Sequence, residues 1–212
     1  MTEVLFALPA GIATALFCLY GPARIGLPVR PICTIYPLFS YAVWSAICAA
    51  LLILVCDDIV RFATAWCFGT ILFAGASIDM HYFLLPDEGA LCLLFGGLLR
   101  IAGMPQEAMM MFIQAMTTGA FLLMLRRLSG NGLGWGDIKW MSAGALWLTP
   151  AGVVIGTAGA FLLGALWGLT RLRKTSVLPF GPCIAIAYAA AFLFGDIIYA
   201  WYEARFFGVS VY

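Results

Sequence analysis

The sequence predicts an all-α polytopic membrane protein of about eight transmembrane helices, and three observations carry that prediction. Of 212 residues, 64% are hydrophobic and only 10% are charged, where a soluble domain carries about 25% charged residues. Mean hydropathy is +1.03, and a surface so poor in charge could not be kept in water. The few charges cluster between long apolar runs. A spanning helix takes ~20 residues, so spans fill the chain and leave no room for a separate soluble domain. Residues 1–212 are therefore expected to form one integral-membrane domain, with function in the spans and their short connections.

The elements follow in order. Met1-Thr2-Glu3 has an acid where a signal peptide has a basic region, so the first apolar run, Val4 to Tyr20, is expected to be a retained span. A connection from Gly21 to Pro31 carries Arg24 and Arg30. Ile32 to Cys56 is the second run and ends at Asp57-Asp58 and Arg61. The third, Phe62 to Ile78, ends at Asp79-Met80-His81. The short fourth run, Gly89 to Leu99, lies between Pro86-Asp87-Glu88 and Arg100. Ala108 to Leu125 is closed by Arg126-Arg127, and a glycine-rich segment, Ser129 to Asp137, follows. Trp140 to Thr170 is 31 residues without a formal charge. That is long for one span and short for two, and Pro150-Ala151-Gly152 is where a turn divides it. Arg171, Arg173 and Lys174 come next, then Pro179-Phe180-Gly181-Pro182 and the last run, to about Tyr202.

Orientation follows from the basic residues. With two spans in the 31-residue run the total is eight, with both termini outside. Eight of eleven basic residues then face the cytoplasm, leaving Arg61, Arg100 and Arg205 outside. A single span there would erase the bias. Trp135, Trp140, Tyr199, Trp201 and Tyr202 lie near span ends and are expected in an aromatic belt. The methionine-rich stretch Met109-Met110-Met111 is expected to pack against lipid or neighbouring helices.

Net charge is +1, which excludes the basic field of a nucleic-acid binder. Seven cysteines show no Cys-x-x-Cys spacing and read as small buried hydrophobes, not as zinc ligands or a disulfide framework.

Ionisable groups at membrane depth are costly and mark function. Asp79, Asp87, Glu88 and Asp137 come from distant parts of the chain, and the topology brings all four to the cytoplasmic side. Two carboxylates that share a proton can hydrolyse a peptide bond, one activating water while the other polarises the carbonyl. Asp137 is expected at a helix start and Asp79 at a helix end, so the helix dipoles make Asp137 the more acidic. The glycines before Asp137 permit positive φ and close backbone approach, and could pair with an extended substrate. His81, the only histidine, is expected in an interfacial structural role. Lys139 is expected to anchor at headgroups or to orient an acidic residue near the site.

The contexts Ile78-Asp79-Met80-His81-Tyr82-Phe83-Leu84-Leu85-Pro86-Asp87 and Gly132-Leu133-Gly134-Trp135-Gly136-Asp137-Ile138-Lys139 resemble the two motifs of the type IV prepilin peptidases. These are membrane aspartic proteases of the Gly-x-Gly-Asp class. Tyr36-Pro37-Leu38 and Pro179-Phe180-Gly181-Pro182 extend the resemblance from about Tyr36 to the last helix. It implies a catalytic pair, Asp79 and Asp137. It also implies supporting or substrate-binding places for Asp87, Gly134, Gly136, Lys139, Pro179 and Gly181. It implies an endopeptidase of the bacterial inner membrane that removes the leader of type IV prepilins or pseudopilins at the cytoplasmic face, with no metal or organic cofactor. Expected partners are these substrates and the lipid bilayer.

Many members of that family also N-methylate the new terminus and carry two Cys-x-x-Cys pairs between the first two spans. The Gly21 to Pro31 connection holds no cysteine, and Ser40 stands where the family has Glu. Methyltransferase activity is therefore doubtful for this short form. The competing reading of intramembrane carboxylates is a transporter or proton-coupled channel.

Overall fold

The computed structural model describes residues 59–171 and 178–206. Six α-helices follow one another: α1 (Ile59–Tyr82), α2 (Asp87–Gly103), α3 (Ala108–Leu128), α4 (Trp135–Gly144), α5 (Pro150–Arg171) and α6 (Gly181–Phe206). A 3₁₀ turn, Ala145–Trp147, extends α4, and no strand occurs among the described residues. The all-α membrane class holds: α1, α3, α5 and α6 are each long and apolar enough to cross a bilayer. The 17 residues of α2 and the ten of α4 fall short of that. The runs 4–20 and 32–56, counted among the expected eight, lie outside the described residues, as do Tyr36-Pro37-Leu38, Ser40, the Gly21 to Pro31 connection, Arg173 and Lys174.

Helices suit these apolar runs because a helix satisfies its own backbone where no water is available. Their ends have local causes. Phe83 turns left-handed after α1, at φ 54°, and its amide donates to the Asp79 carbonyl at 2.9 Å. Pro86 is extended and precedes α2, whose first turn carries Asp87 and Glu88, the favoured sign at a helix start. Arg126 and Arg127 complete α3 with the sign favoured at a helix end. Gly130 and Asn131 then take positive φ, and the Asn131 amide donates to the Arg126 carbonyl at 2.8 Å. The 31-residue run divides at Pro150, as expected. The break leaves carbonyls without helical partners. Gln114 of α3 meets two of them: its Nε2 donates to the Ala145 carbonyl at 2.7 Å and to the Leu148 carbonyl at 2.8 Å.

The central helix is α1. Its apolar window is 61% buried, against 22% for α3, 28% for α5 and 33% for α6. α6 packs on both α1 and α5, while α4 packs on α2 and α3. Phe68, Leu72, Leu93, Leu122, Met141, Leu146 and Tyr188 form the centre of the core. Large apolar side chains such as Leu99, Met116 and Leu128 point outward, the pattern of a lipid-facing surface. Met109 and Met110 belong to that surface and Met111 to the core.

Candidate active site

The first aspartate, Asp79, sits in the last turn of α1 and is 5% exposed. Its Oδ2 accepts the Gly181 amide at 2.6 Å. Gly181 opens α6, where the amides lack helical acceptors, so the carboxylate of one helix caps the start of another. A Cβ on Gly181 would stand 2.9 Å from both Cβ and Oδ2 of Asp79, so glycine is what admits this approach. Pro179 is buried just before α6, and Pro182 needs no amide partner in its first turn. The Pro179-Phe180-Gly181-Pro182 segment thus packs beside the aspartate, as the resemblance implied.

The second aspartate, Asp137, is the third residue of α4 and is half-buried. Its Oδ2 accepts the Gly134 amide at 3.1 Å. Gly134 is extended, at φ −68° and ψ 149°, and a Cβ there would stand 2.7 Å from that oxygen. A Cβ on Gly136 would stand 3.0 Å from Leu85 Cβ. These two glycines serve close approach; the positive φ expected of the glycine-rich segment falls instead on Gly130 and Asn131. Because α4 already begins at Trp135, the open backbone before Asp137 is confined to Gly132–Gly134.

Burial and the Asp79 charge, in that order, push Asp137 up to about 6, against the lowering effect of the Gly134 amide. The place of Asp137 at a helix start is therefore not enough to keep it acidic. A capping bond favours the anion, but desolvation and a like charge oppose it more strongly. Two carboxylates from helices far apart in sequence stand within electrostatic reach at one end of the bundle.

The other acids are placed differently. Asp87, first residue of α2, is gripped by Lys139 Nζ at 2.8 and 2.9 Å. Lys139 orients an acidic residue, the second of its two expected roles, and joins α4 to α2. Glu88 is exposed. His81 Nδ1 donates to the Ser77 carbonyl one turn back, at 2.9 Å, which fits a structural role. Among the described residues no group of three or more His, Cys, Asp or Glu side chains could hold a metal ion.

One residue of the site was misread from sequence. Trp135 is 57% exposed, with the Arg126 guanidinium 5.0 Å from its ring centre, and fits an aromatic belt. Trp140 does not: it is 2% exposed, and its Nε1 donates to the Pro86 carbonyl at 3.0 Å. The signal that could have found it is a shared spacing, for Trp140 and Trp147 are seven residues apart, as are Gly89 and Gly96.

Residues 66–169, which include both aspartates, match the type IV leader peptidase family. The chain is 35% identical over 147 residues to the prepilin leader peptidase/N-methyltransferase of Aeromonas hydrophila, covering 64% of this chain and 51% of that protein. It is 31% identical over 150 residues to the protein of that name from Bacillus subtilis (strain 168), covering 64% and 57%. With the Xanthomonas campestris pv. campestris protein identity is 28% over 184 residues, covering 79% and 61%. The chain thus spans about half the length of the curated relatives it matches. No solved structure matches it. The matched segment, just under half of this chain, and the aspartates it contains support a place for the chain in the type IV leader peptidase family.

Proposed function

We propose that this chain is a membrane aspartic endopeptidase that removes the leader of type IV prepilins or pseudopilins at the cytoplasmic face of the bacterial inner membrane. Asp79 and Asp137 are the catalytic pair. The observation that carries the proposal is that the segment similar to the leader peptidases contains both aspartates, each held at a helix end by a glycine amide. With one proton between them, the ionised carboxylate accepts a proton from water, whose oxygen attacks the scissile carbonyl carbon. The protonated carboxyl donates to the carbonyl oxygen, and the amine leaves with a proton as the C–N bond breaks. The amides of Gly181 and Gly134 hold the two carboxylates in place. Asp87 supports the site through Lys139. Gly136 and Pro179 let the chain approach closely beside each aspartate.

Both aspartates lie at helix ends, which suits proteolysis, where the carboxylates of a transporter are expected nearer the midplane. Residues 1–212 act as one integral-membrane peptidase domain, and peptidase activity stands without methylation.

The test is co-expression of a type IV prepilin with wild type, Asp79→Asn or Asp137→Asn, with leader removal read on a gel. Each substitution is expected to abolish cleavage at unchanged protein level. Cleavage that survives either one rules out the pair.

A further inference from the structure

Resting on the peptidase reading, we propose that Trp140 is a positioning residue: its indole is a wedge between α1 and α2 that sets the height of Asp137 against Asp79. The ring lies directly on two glycines. A Cβ on Gly75 of α1 would overlap the indole, with even the third-nearest ring carbon at 2.8 Å. A Cβ on Gly89 of α2 would also overlap it, with the second-nearest ring carbon at 2.7 Å. Nε1 is fixed in addition by the Pro86 carbonyl, at 3.0 Å.

The spacing connects this wedge to the chemistry. Gly75 precedes Asp79 by four residues in α1, and Trp140 follows Asp137 by three in α4. Residues three or four apart share a helix face. The Gly75–Trp140 contact is therefore one turn from each aspartate, on the face that carries it. Fixing that contact brings the two carboxylates to the same level.

The arrangement repeats seven residues further on. Trp147 Nε1 donates to the Leu93 carbonyl at 2.8 Å, and a Cβ on Gly96 would overlap its ring. On the α1 side this second indole stacks on Phe68, at 5.1 Å between centres, seven residues before Gly75. The two rungs differ in stiffness. Trp140 presses on backbone on both sides, whereas Trp147 has a side chain on one side that can turn. The rung near the aspartates has the least slack, and displacing a reacting group by about 1 Å costs on the order of 100-fold in rate.

The test uses the full chain in detergent with a purified type IV prepilin, reading kcat, KM and the thermal midpoint. Gly75→Ala is expected to lower kcat about 10–100-fold with KM held within about twofold. In the Trp140→Leu background the same Gly75→Ala change is expected to cost little, because the added methyl group enters space the indole has left. Trp140→Phe, which keeps a ring, retains more kcat than Trp140→Leu. Gly96→Ala and Trp147→Leu, the matched changes at the second rung, lower the thermal midpoint to a similar extent but kcat by less than about threefold.

The wedge is overturned if Gly75→Ala costs the same kcat in both backgrounds. Equal kcat losses at the two rungs for equal losses of thermal midpoint also overturn it. A Gly75→Ala protein that folds only together with Trp140→Leu supports it. Coupling between these two changes in the thermal midpoint needs no substrate, and its absence overturns the wedge even for a chain that cleaves nothing. Cleavage by Asp79→Asn would instead sink the peptidase reading and leave that coupling unaffected.

Discussion

At Asp137 two opposing effects meet on one side chain. The Gly134 amide favours its anion, while burial and Asp79 favour its proton and win, leaving it at about 6. An ordinary aspartate titrates near ~3.9. Since the folded value is the higher one, the proton-bound form stabilises the fold. That contribution is full below about 4 and is lost as pH rises through about 6. Asp137→Asn is therefore expected to raise the thermal midpoint at pH 7.5 and leave it nearly unchanged at pH 4. The gain corresponds to about 1–2 kcal/mol once solvent screening of a half-buried group is allowed for. Thermal unfolding in detergent at the two pH values checks this, and equal shifts at both would contradict it. Asp79 and Asp137 were legible in the sequence because acids stand out in an apolar chain. The partner of Asp79 was not legible from spacing, since Gly181 lies 102 residues away, and only the family resemblance pointed to it.

Between elements, the question is what holds the ten-residue α4 on α2. The Lys139–Asp87 pair is conspicuous, but its side chains are 48% and 67% exposed. Such a pair contributes about 0–1 kcal/mol. Trp140 is fully packed, and truncating a buried aromatic costs about 3–5 kcal/mol. Lys139→Met is expected to shift the thermal midpoint far less than Trp140→Leu. A larger shift for Lys139→Met would show that the ion pair dominates. Sequence reading offered Lys139 a role toward an acidic residue and gave Trp140 only a place in an aromatic belt. A tryptophan near a span end reads the same whether it faces lipid or the core. Pro150 announced the break in the 31-residue run, yet nothing in the sequence tied that break to Gln114. Their pairing depends on how α3 lies against the 3₁₀ turn.

For the molecule as a whole, the fold class was legible before the structure. The all-α architecture follows from composition and run length, and the gathering of Asp79, Asp87 and Asp137 at one end follows from span counting. The expected membrane orientation rests on eight of eleven basic residues. In a background lacking the seven cysteines, Asn131→Cys is expected to react with an impermeant maleimide only after the inner membrane is opened. Gln106→Cys, between α2 and α3, is expected to react in intact spheroplasts, and the reverse pattern would invert the topology. The break after α4 carries a consequence at this scale. Ten helical residues rise about 15 Å, roughly half of a ~30 Å hydrocarbon layer. Those residues alone therefore do not cross the layer, and the 3₁₀ turn with Leu148 and Thr149 carries the chain on to α5. Gln114 of α3 and Arg100 of α2 both donate to carbonyls of that stretch, so side chains of two neighbouring helices hold a passage that a longer helix would hold by itself.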